Sequence, residues 1–593
     1  LSQSAPQTID AAGTLRRALA LHQRGQLADA EKLYGEVLAA QPDSFDALHL
    51  CGVLRHQRGE HAQALALIAR ALKSNARSAA AHSNYGNVLS MLNRHDEALA
   101  SFDRAVALTP DYPEALNSRG NTLVRLGRTE DALADYAKAI ALKPRFAEAL
   151  LGQGNVLYAL GHFAEALANY DAVLAIAPNV AEIHNNCGNA LWSLKRPLDA
   201  LARYDAALAL KSEYAEAHNN RGNALLDLNR TAEALTSFEQ ALRLKPDYPD
   251  ALVNRGTALG ELRREDAALA SFDRAIALTP RLAEAHWNKA LLLLSRGDFE
   301  AGLPDYEWRW QRPGAQARNF AQPQWCGEDI TGRTILLHAE QGFGDTLQFV
   351  RYVPIVASRG ARIILEAPDA LRPLLSGTEG VASLVGCGAP LPPFDWHCPL
   401  LSLPLAFGTT LATIPAAVPY LHAPAGRAVA PRALLPHTGN PRVGIAWSGK
   451  PSHNNDHNRS IALTRLAPLL QTPGIGFVSL QRDLRDADRA ALADFPGLTQ
   501  LDEALVDFAD TAAVMAQLDL VIAVDTAVAH LAGALGRPLW VLLPHVPDWR
   551  WLLDRDDSPW YPSARLFRQP VAGDWDSVIA RLSGELTQIA AAP

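Results

Sequence analysis

A glycine recurs every 34 residues through the first half of this chain, at Gly52, Gly86, Gly120, Gly154, Gly188, Gly222 and Gly256, and Ala290 continues the register. Three further columns keep the same period. Ala30, Ala64, Ala98, Ala132, Ala166, Ala200, Ala234 and Ala268 form one. Tyr34, Phe102, Tyr136, Tyr170, Tyr204, Phe238 and Phe272 form another, and Pro42, Pro110, Pro144, Pro178, Pro246 and Pro280 a third. A unit of this length cannot bury a core alone, so units must stack and share one. Small residues let two antiparallel helices approach, the aromatic fills the gap between units, and the proline is expected to start the next helix.

These columns resemble the tetratricopeptide repeat, over an array read as residues 1–312 and holding about nine helical hairpins from near Ala11, the last degenerate around Phe299 to Trp310. Two polar columns accompany it. Asn84, Asn186, Asn220, Asn254 and Asn288 stand two residues before the glycine register, and Asn87, Asn121, Asn155, Asn189 and Asn223 one after it. In that family the first helix of each hairpin lines the concave surface. An amide both donates and accepts, so the first column is a candidate groove for the backbone of a protein or peptide acceptor; the alternative is that these Asn bond to neighbouring turns and hold the stack. Repeats alone make an interaction module, without a convergent acid, base or metal cluster.

After Trp310 the register ends. Residues 313–332 read as a linker and docking segment, with Trp308, Trp310 and Trp325 gluing the array to the α/β half. Thr334 to His338 then reads as a strand, Thr346 to Val356 as helix and Ala361 to Glu366 as strand, opening an α/β lobe over residues 333–423. Residues 424–441, rich in Ala, Pro and Gly, read as an interlobe linker, and residues 442–593 as a second α/β lobe. In that lobe Ile461 to Leu470 reads as helix, Phe477 to Leu480 as strand, Asp510 to Leu518 as helix, and Val521 to Leu543 as strand, loop, short helix, turn and strand. The fold class is thus a superhelical solenoid followed by two Rossmann-like lobes, whose cleft suits two substrates.

Polar residues at strand ends mark where chemistry could occur. Gly342, Gly344 and Asp345 form a glycine turn between strand and helix; a dinucleotide fingerprint needs a third glycine and a ribose-reading acid, for which Glu366 is the one weak candidate. Gly444 to Lys450 matches a phosphate loop until Pro451, which lacks the magnesium-binding hydroxyl, so an ATPase is rejected while Ser448, Gly449 and Lys450 stay candidate phosphate contacts. His453 to Ser460 reads as a polar loop closing on phosphate through Arg459 rather than a metal site, and no third ligand joins His453 and His457. Asp525 and Thr526 end a strand facing the cleft, and His530 follows within a helix. Trp549, Arg550, Trp551, Trp560 and Tyr561 either stack on base or sugar or pack against the C-terminal helix.

Strand-Gly-x-Gly-Asp-helix, then strand-Ser-Gly with Arg459-Ser460, then VDTAVAHLAGALGRP in this order resemble the heptosyltransferases of glycosyltransferase family 9, across roughly Arg333 to Gln569. The resemblance implies a GT-B fold, an acceptor side in the first lobe and a nucleotide-sugar donor side in the second. It further implies Asp345 as the base, Arg459 on the diphosphate, and Asp525, Thr526 and His530 on the donor. Asn458-Arg459-Ser460-Ile461 departs from the family's basic residue before Trp-Pro, so donor identity does not carry over. Repeats joined to such lobes also resemble the arrangement of O-GlcNAc transferase, whose repeats deliver a protein acceptor.

The expected activity is therefore an inverting, metal-independent transfer from a nucleotide-diphosphate sugar to an acceptor hydroxyl, with no cofactor besides the donor and Lys450 and Arg459 facing the leaving group. Two alternatives stand: a repeat scaffold with a vestigial GT-B part, and a glycan- or lipopolysaccharide-building transferase that the repeats only localise. A net charge of −8 argues against nucleic acid as partner. Five cysteines without a C-x-x-C pair indicate a reducing compartment, and no signal peptide or membrane span is read, so a cytoplasmic protein is expected.

Overall fold

The computed structural model describes residues 10–427, 435, 440–453, 455–501 and 504–591, so most of the expected linker at 424–441 lies outside the described residues. The chain divides into two compact units, Leu1–Pro246 and Asp247–Pro593.

Within the described residues of the first unit fourteen helices alternate in length, from α1 (Ala11–Gln23), α2 (Leu27–Ala40), α3 (Phe45–Gln57) and α4 (His61–Ser74) to α13 (Ala215–Asp227) and α14 (Thr231–Leu244). Odd-numbered helices have 13 residues and even-numbered ones 14. The glycine column is demanded by the aromatic one. A Cβ at Gly188 or Gly222 would lie 2.4 Å from the ring of Tyr204 or Phe238, which lies on the backbone of the preceding helix. The column alanines from Ala30 to Ala234 are fully buried, as close helix packing requires.

Each hairpin turns through a left-handed residue, again every 34 positions: Gly25, Gly59, Asn93, Gly127, Gly161, Lys195 and Asn229, with φ between 57° and 82°. Glycine fits this helix-ending position without strain, and Asn is next best. The proline column acts differently from expectation. Pro110 follows the C-cap Thr109 (φ −139°, ψ 89°) of the helix His95–Leu108, so proline stops one helix rather than starting the next. The residue before a proline is pushed out of the helical region, and the proline has no N–H with which to continue. A separate set, Pro113 and Pro197, occupies first-turn positions.

The second unit begins with α15 (Pro249–Glu261), α16 (Glu265–Leu278), α17 (Ala283–Ser295) and the short α18 (Phe299–Tyr306), which contains Pro304 and runs into a 3₁₀ turn at Glu307–Gln311. A four-stranded parallel sheet comes next: β1 (Thr334–His338), β2 (Arg362–Ala367), β3 (Val381–Gly386) and β4 (Trp396–Pro399), in the order β3-β2-β1-β4. The second sheet is also parallel. Its strands are β5 (Arg442–Ala446), β6 (Gly476–Ser479), β7 (Leu498–Thr499), β8 (Leu520–Val524), β9 (Leu539–Leu543) and β10 (Ala564–Arg568), in the order β10-β9-β8-β5-β6-β7.

Both faces of the second sheet are buried. Val521 and Ala523 of β8 enter the core shared with the first sheet, while Leu520, Ile522 and Val524 face the C-terminal helix Trp575–Ala591. Gly444 lies inside β5, where a Cβ would meet Leu518 and Leu480 at 2.4 and 2.8 Å, so it is a packing glycine. The helix expected over Ile461 to Leu470 reduces to a 3₁₀ turn at Leu463–Leu466 and one α-turn at Ala467–Leu470, because Pro468 sits in it.

Two buried arginines tie this unit together. Arg309, after α18, bonds Glu340 through Nε and Nη2 (2.9 and 3.0 Å), Glu307 (2.5 Å) and Ser402 (2.6 Å). Arg351 donates to the carbonyls of Trp560 (2.7 Å) and Pro415 (3.1 Å) and to the Tyr420 hydroxyl (2.9 Å). Trp325 is fully buried against Phe407, and Trp308 stacks on His286, both as packing groups.

Gly188→Ala is expected to lower stability by about 1–3 kcal/mol through overpacking, read as the urea midpoint by circular dichroism. Gly35→Ala, in α2 with nothing near its would-be Cβ, should raise it by about 0.5–1 kcal/mol. Lys195→Gly, at φ 60°, should also gain up to about 1 kcal/mol by removing left-handed strain.

Candidate functional site

In open parallel sheets ligands bind beyond the carboxyl ends of strands, where the strand order reverses. In the first sheet that point lies between β1 and β4, and in the second between β5 and β8. The glycine turn follows β1, Ser448-Gly449-Lys450 follows β5, and Asp525-Thr526 follows β8.

The turn after β1 leads into α19 (Phe343–Phe349), with Gly342 as N-cap. Asp345, on the third helical residue, reaches back so that its Oδ2 accepts from Gly342 N–H at 2.8 Å. A Cβ on Gly344 would stand 2.8 Å from His530 Cδ2 and 3.7 Å from Ala527 Cα. The helix Ala527–Ala534 therefore crosses α19 at this glycine, and the β1 turn meets the end of β8.

Asp345 Oδ1 pairs with Arg550 Nη2 at 2.5 Å, and Arg550 Nη1 pairs with Asp548 at 2.9 Å. Asp548 and Arg550 follow β9, and sequence reasoning passed over their charges in favour of the flanking tryptophans. The usable signal was position, since charged residues just beyond a parallel strand face the ligand edge. Burial pushes Asp345 up from the ordinary carboxylate value; Arg550's charge pulls it back and Asp548 raises it again. Arg550 itself loses solvation, yet the two carboxylates hold its pKa well above the usual guanidinium value.

His530 is buried, with Nδ1 2.9 Å from the Tyr561 hydroxyl and Nε2 3.8 Å from Asp525 Oδ1. Burial and then the charge of Arg550 lower its pKa to about 3, so it is neutral. The tautomer that accepts from Tyr561 and carries hydrogen on Nε2 satisfies both neighbours. Burial and then Asp548 raise Asp525 to about 6. Thr526 occupies the N-cap position without a side-chain capping bond; its hydroxyl instead donates back to Val524 O at 3.2 Å.

Arg459 Nη1 donates to the Asp525 carbonyl at 2.9 Å, linking the loop after β5 to the end of β8. A Cβ at Gly449 would lie 2.7 Å from Arg459 Nη2, so this glycine lets the guanidinium rest on the chain. Gly449 N–H donates to Ser460 Oγ (2.9 Å), which donates to Asp456 (2.6 Å). Arg485, which no sequence motif marks, bonds Asp456 (2.5 Å) and Ser460 (2.9 Å). Ser448 Oγ, Arg459 Nε and Arg485 Nε are buried and find no acceptor among the described residues. Lys450 is exposed beside them. Buried donors are normally satisfied, and these three gather around one strand end.

The other candidates have partners of their own. Glu366 is buried, paired with Arg318 and accepting from Gly388 N–H (3.3 Å). His453 Nδ1 accepts from Asn455 N–H at 3.1 Å, and Asn454 lies outside the described residues. Trp549, Trp551, Trp560 and Tyr561 are at most 3% exposed and pack among Phe299, Tyr306, Phe349 and His530; they are packing groups, but in the core with α18 and α19 rather than in the separate core of the C-terminal helix.

In the repeats Asn84, Asn186, Asn220, Asn254 and Asn288 all lie on odd-numbered helices. Asn84 Nδ2 lies 2.9 Å from His49 Nε2, Asn220 donates to Asn185 and Asn189 (3.1 and 3.0 Å), and Asn288 donates to Thr257 (3.3 Å). These bonds run to the preceding repeat. In the second column Asn121, Asn155 and Asn189 accept from Tyr136, Tyr170 and Tyr204 at 2.7–3.0 Å, a structural pairing of two columns that the sequence presents as separate.

Tetratricopeptide-repeat family profiles match residues 21–83 and residues 54–113, 117–181, 188–249 and 253–318. The repeats are tetratricopeptide repeats. The chain is also similar to Protein FlbA of Caulobacter vibrioides, 28% identical over 329 residues, which is 51% of this chain and 55% of FlbA. The chain thus matches about half the length of that relative. Among solved structures, YrrB, described as a TPR protein with an unusual peptide-binding site, is 27% identical over 31% of this chain and 95% of its own, with a TM-score of 0.28. A chain of the APC/C hetero-tetramer Cut9–Hcn1 is 17% identical over 48% of this chain and 57% of its own, with a TM-score of 0.35.

Because Asp525 is raised in the folded protein, the native state binds a proton more tightly than the unfolded chain between about 3.8 and about 6. Stability therefore falls as pH rises through that window, and the cost persists above it. Asp525→Asn should gain about 1–3 kcal/mol at about pH 8 and little at about pH 4, measured by urea unfolding.

Proposed function

We propose that this tetratricopeptide-repeat protein is an inverting glycosyltransferase with a GT-B arrangement, taking a sugar from a nucleotide-diphosphate donor. The observation that carries the proposal is a carboxylate after β1 in the same unit as unsatisfied donors from the loops after β5 and β6. Asp345 supplies a base, and Ser448, Arg459 and Arg485 supply N–H and O–H groups for an anion.

The chemistry needs these two parts and little else. The acceptor oxygen forms a bond to the sugar C1 while the C1–O bond to phosphate breaks. The nucleoside diphosphate leaves with the electron pair, and the acceptor proton passes to Asp345. One carboxylate is enough when configuration inverts. Fixed positive charge and donors stabilise the departing diphosphate, so this reading requires no metal. Neutral His530 and the carboxylate of Asp525 fit donor binding better than proton transfer, since His530 is already held between Tyr561 and Asp525. Tetratricopeptide repeats bring partners, and the acceptor that fits is a protein.

Asp345→Asn is expected to lower transfer or nucleotide-sugar hydrolysis by about 10²–10⁴-fold, with circular dichroism and melting temperature retained. Turnover equal to the native protein's would remove Asp345 from the base role. A nucleoside diphosphate that binds the native state should raise the melting temperature; absence of any such shift across the common nucleotides would favour a repeat scaffold without catalysis.

A further inference from the structure

We infer that Arg550, braced by Asp548, is a positioning residue that orients the Asp345 carboxylate. This rests on the base role proposed for Asp345 and names the group that makes the role possible.

Asp345 is gripped at both oxygens: Oδ2 accepts from Gly342 N–H at 2.8 Å and Oδ1 from Arg550 Nη2 at 2.5 Å. A carboxylate so held cannot rotate, and each oxygen keeps a further lone pair for a substrate proton. Arg550 is equally constrained. Its Nη1 bonds Asp548 Oδ1 at 2.9 Å, and the same oxygen accepts from Arg550 N–H at 3.0 Å. Its guanidinium lies 4.7 Å over the Trp549 ring and 5.6 Å over that of Phe349, and the residue is buried. A planar fork with two donors directed to two carboxylates is arginine geometry; a lysine ammonium reproduces the charge but not the two directions.

The pair bridges the two sheets' ends, since Asp345 belongs to the turn after β1 and Arg550 to the segment after β9. Other charged or titratable groups near Asp345 are Asp548, neutral His530 across Gly344, Tyr306 at the end of α18 and His453 after β5. Arg550 and Asp548 act on Asp345 in opposite senses, the first favouring its ionised form and the second opposing it.

The test compares Arg550→Met, Arg550→Lys and Asp548→Asn in the full chain, with Asp345→Asn as the cycle partner. Arg550→Met should lower kcat by about 10²-fold with little change in donor KM, and move the acid limb of the pH–rate profile upward by about one pH unit or more. Asp548→Asn should move that limb downward, and Arg550→Lys should leave it near its native place with reduced kcat. In thermal unfolding at about pH 8, Arg550→Met should lower the melting temperature much less in the Asp345→Asn background than in the native one. Equal losses in both backgrounds overturn the pairing without reference to activity. An active protein whose acid limb stays fixed in Arg550→Met overturns the inference and leaves the glycosyltransferase reading standing. A native protein that turns over no nucleotide sugar overturns both.

Discussion

The candidate site depends on one close crossing. Gly344 has no side chain, and the space a Cβ would take is filled by the ring of His530. That contact brings α19 onto the helix Ala527–Ala534 and so sets the end of β1 beside the end of β8. Asp345 then meets Arg550, His530 meets Asp525, and Asp525 is tied to Arg459 through its carbonyl. A side chain at Gly344 would collide first with the His530 ring and displace it from this place.

Charge in this region is concentrated where burial makes it expensive. Arg309, Arg351 and Arg550 are each at most 6% exposed. Arg309 is matched by Glu340 and Glu307, and Arg351 by carbonyls and a hydroxyl. Buried pairs of this kind add little net stability over apolar packing, because desolvation offsets their attraction. What they secure is direction: one guanidinium fixes several acceptors at once. Asp525, raised to about 6, and His530, lowered to about 3, show the same environment acting on groups of opposite charge type.

Much of the solenoid was legible because its physics repeats. Glycine opposite an aromatic 16 residues on, as Gly188 with Tyr204, is visible as two columns even before the ring is seen against the backbone. The proline column is visible too, but its spacing suggests a helix start where the structure has a helix stop, since the helix boundary before Pro110 depends on backbone angles that spacing does not encode. The Asn columns were legible as polar rows. Which of them face a neighbouring repeat, as Asn84 and Asn220 do, is a matter of side-chain direction. In the α/β part Asp345 and Asp525 stood out by their place just after strands, and Arg459 and His530 through the polar loop and helix that the family resemblance singles out. Asp548 and Arg485 did not, because no repeat or glycine turn marks them: Asp548 matters through its neighbour Arg550, which reaches the distant Asp345, and Arg485 through Asp456 in another loop.

By itself, then, the sequence determined the repeat period, the parallel α/β character of the second half and the strand ends at which polar groups gather. Those properties are local: they follow from periodicity, breakers and the fit of small against large side chains within some tens of residues. Only the tertiary structure decided that Asp345 shares Arg550 with Asp548, that the tryptophans of Trp549 to Trp551 are core, and that Ser448, Arg459 and Arg485 leave donors unsatisfied together. The physical reason is that orientation, burial and charge pairing arise from contacts between segments some two hundred residues apart, as between Asp345 and Arg550, and no spacing rule reaches across that distance.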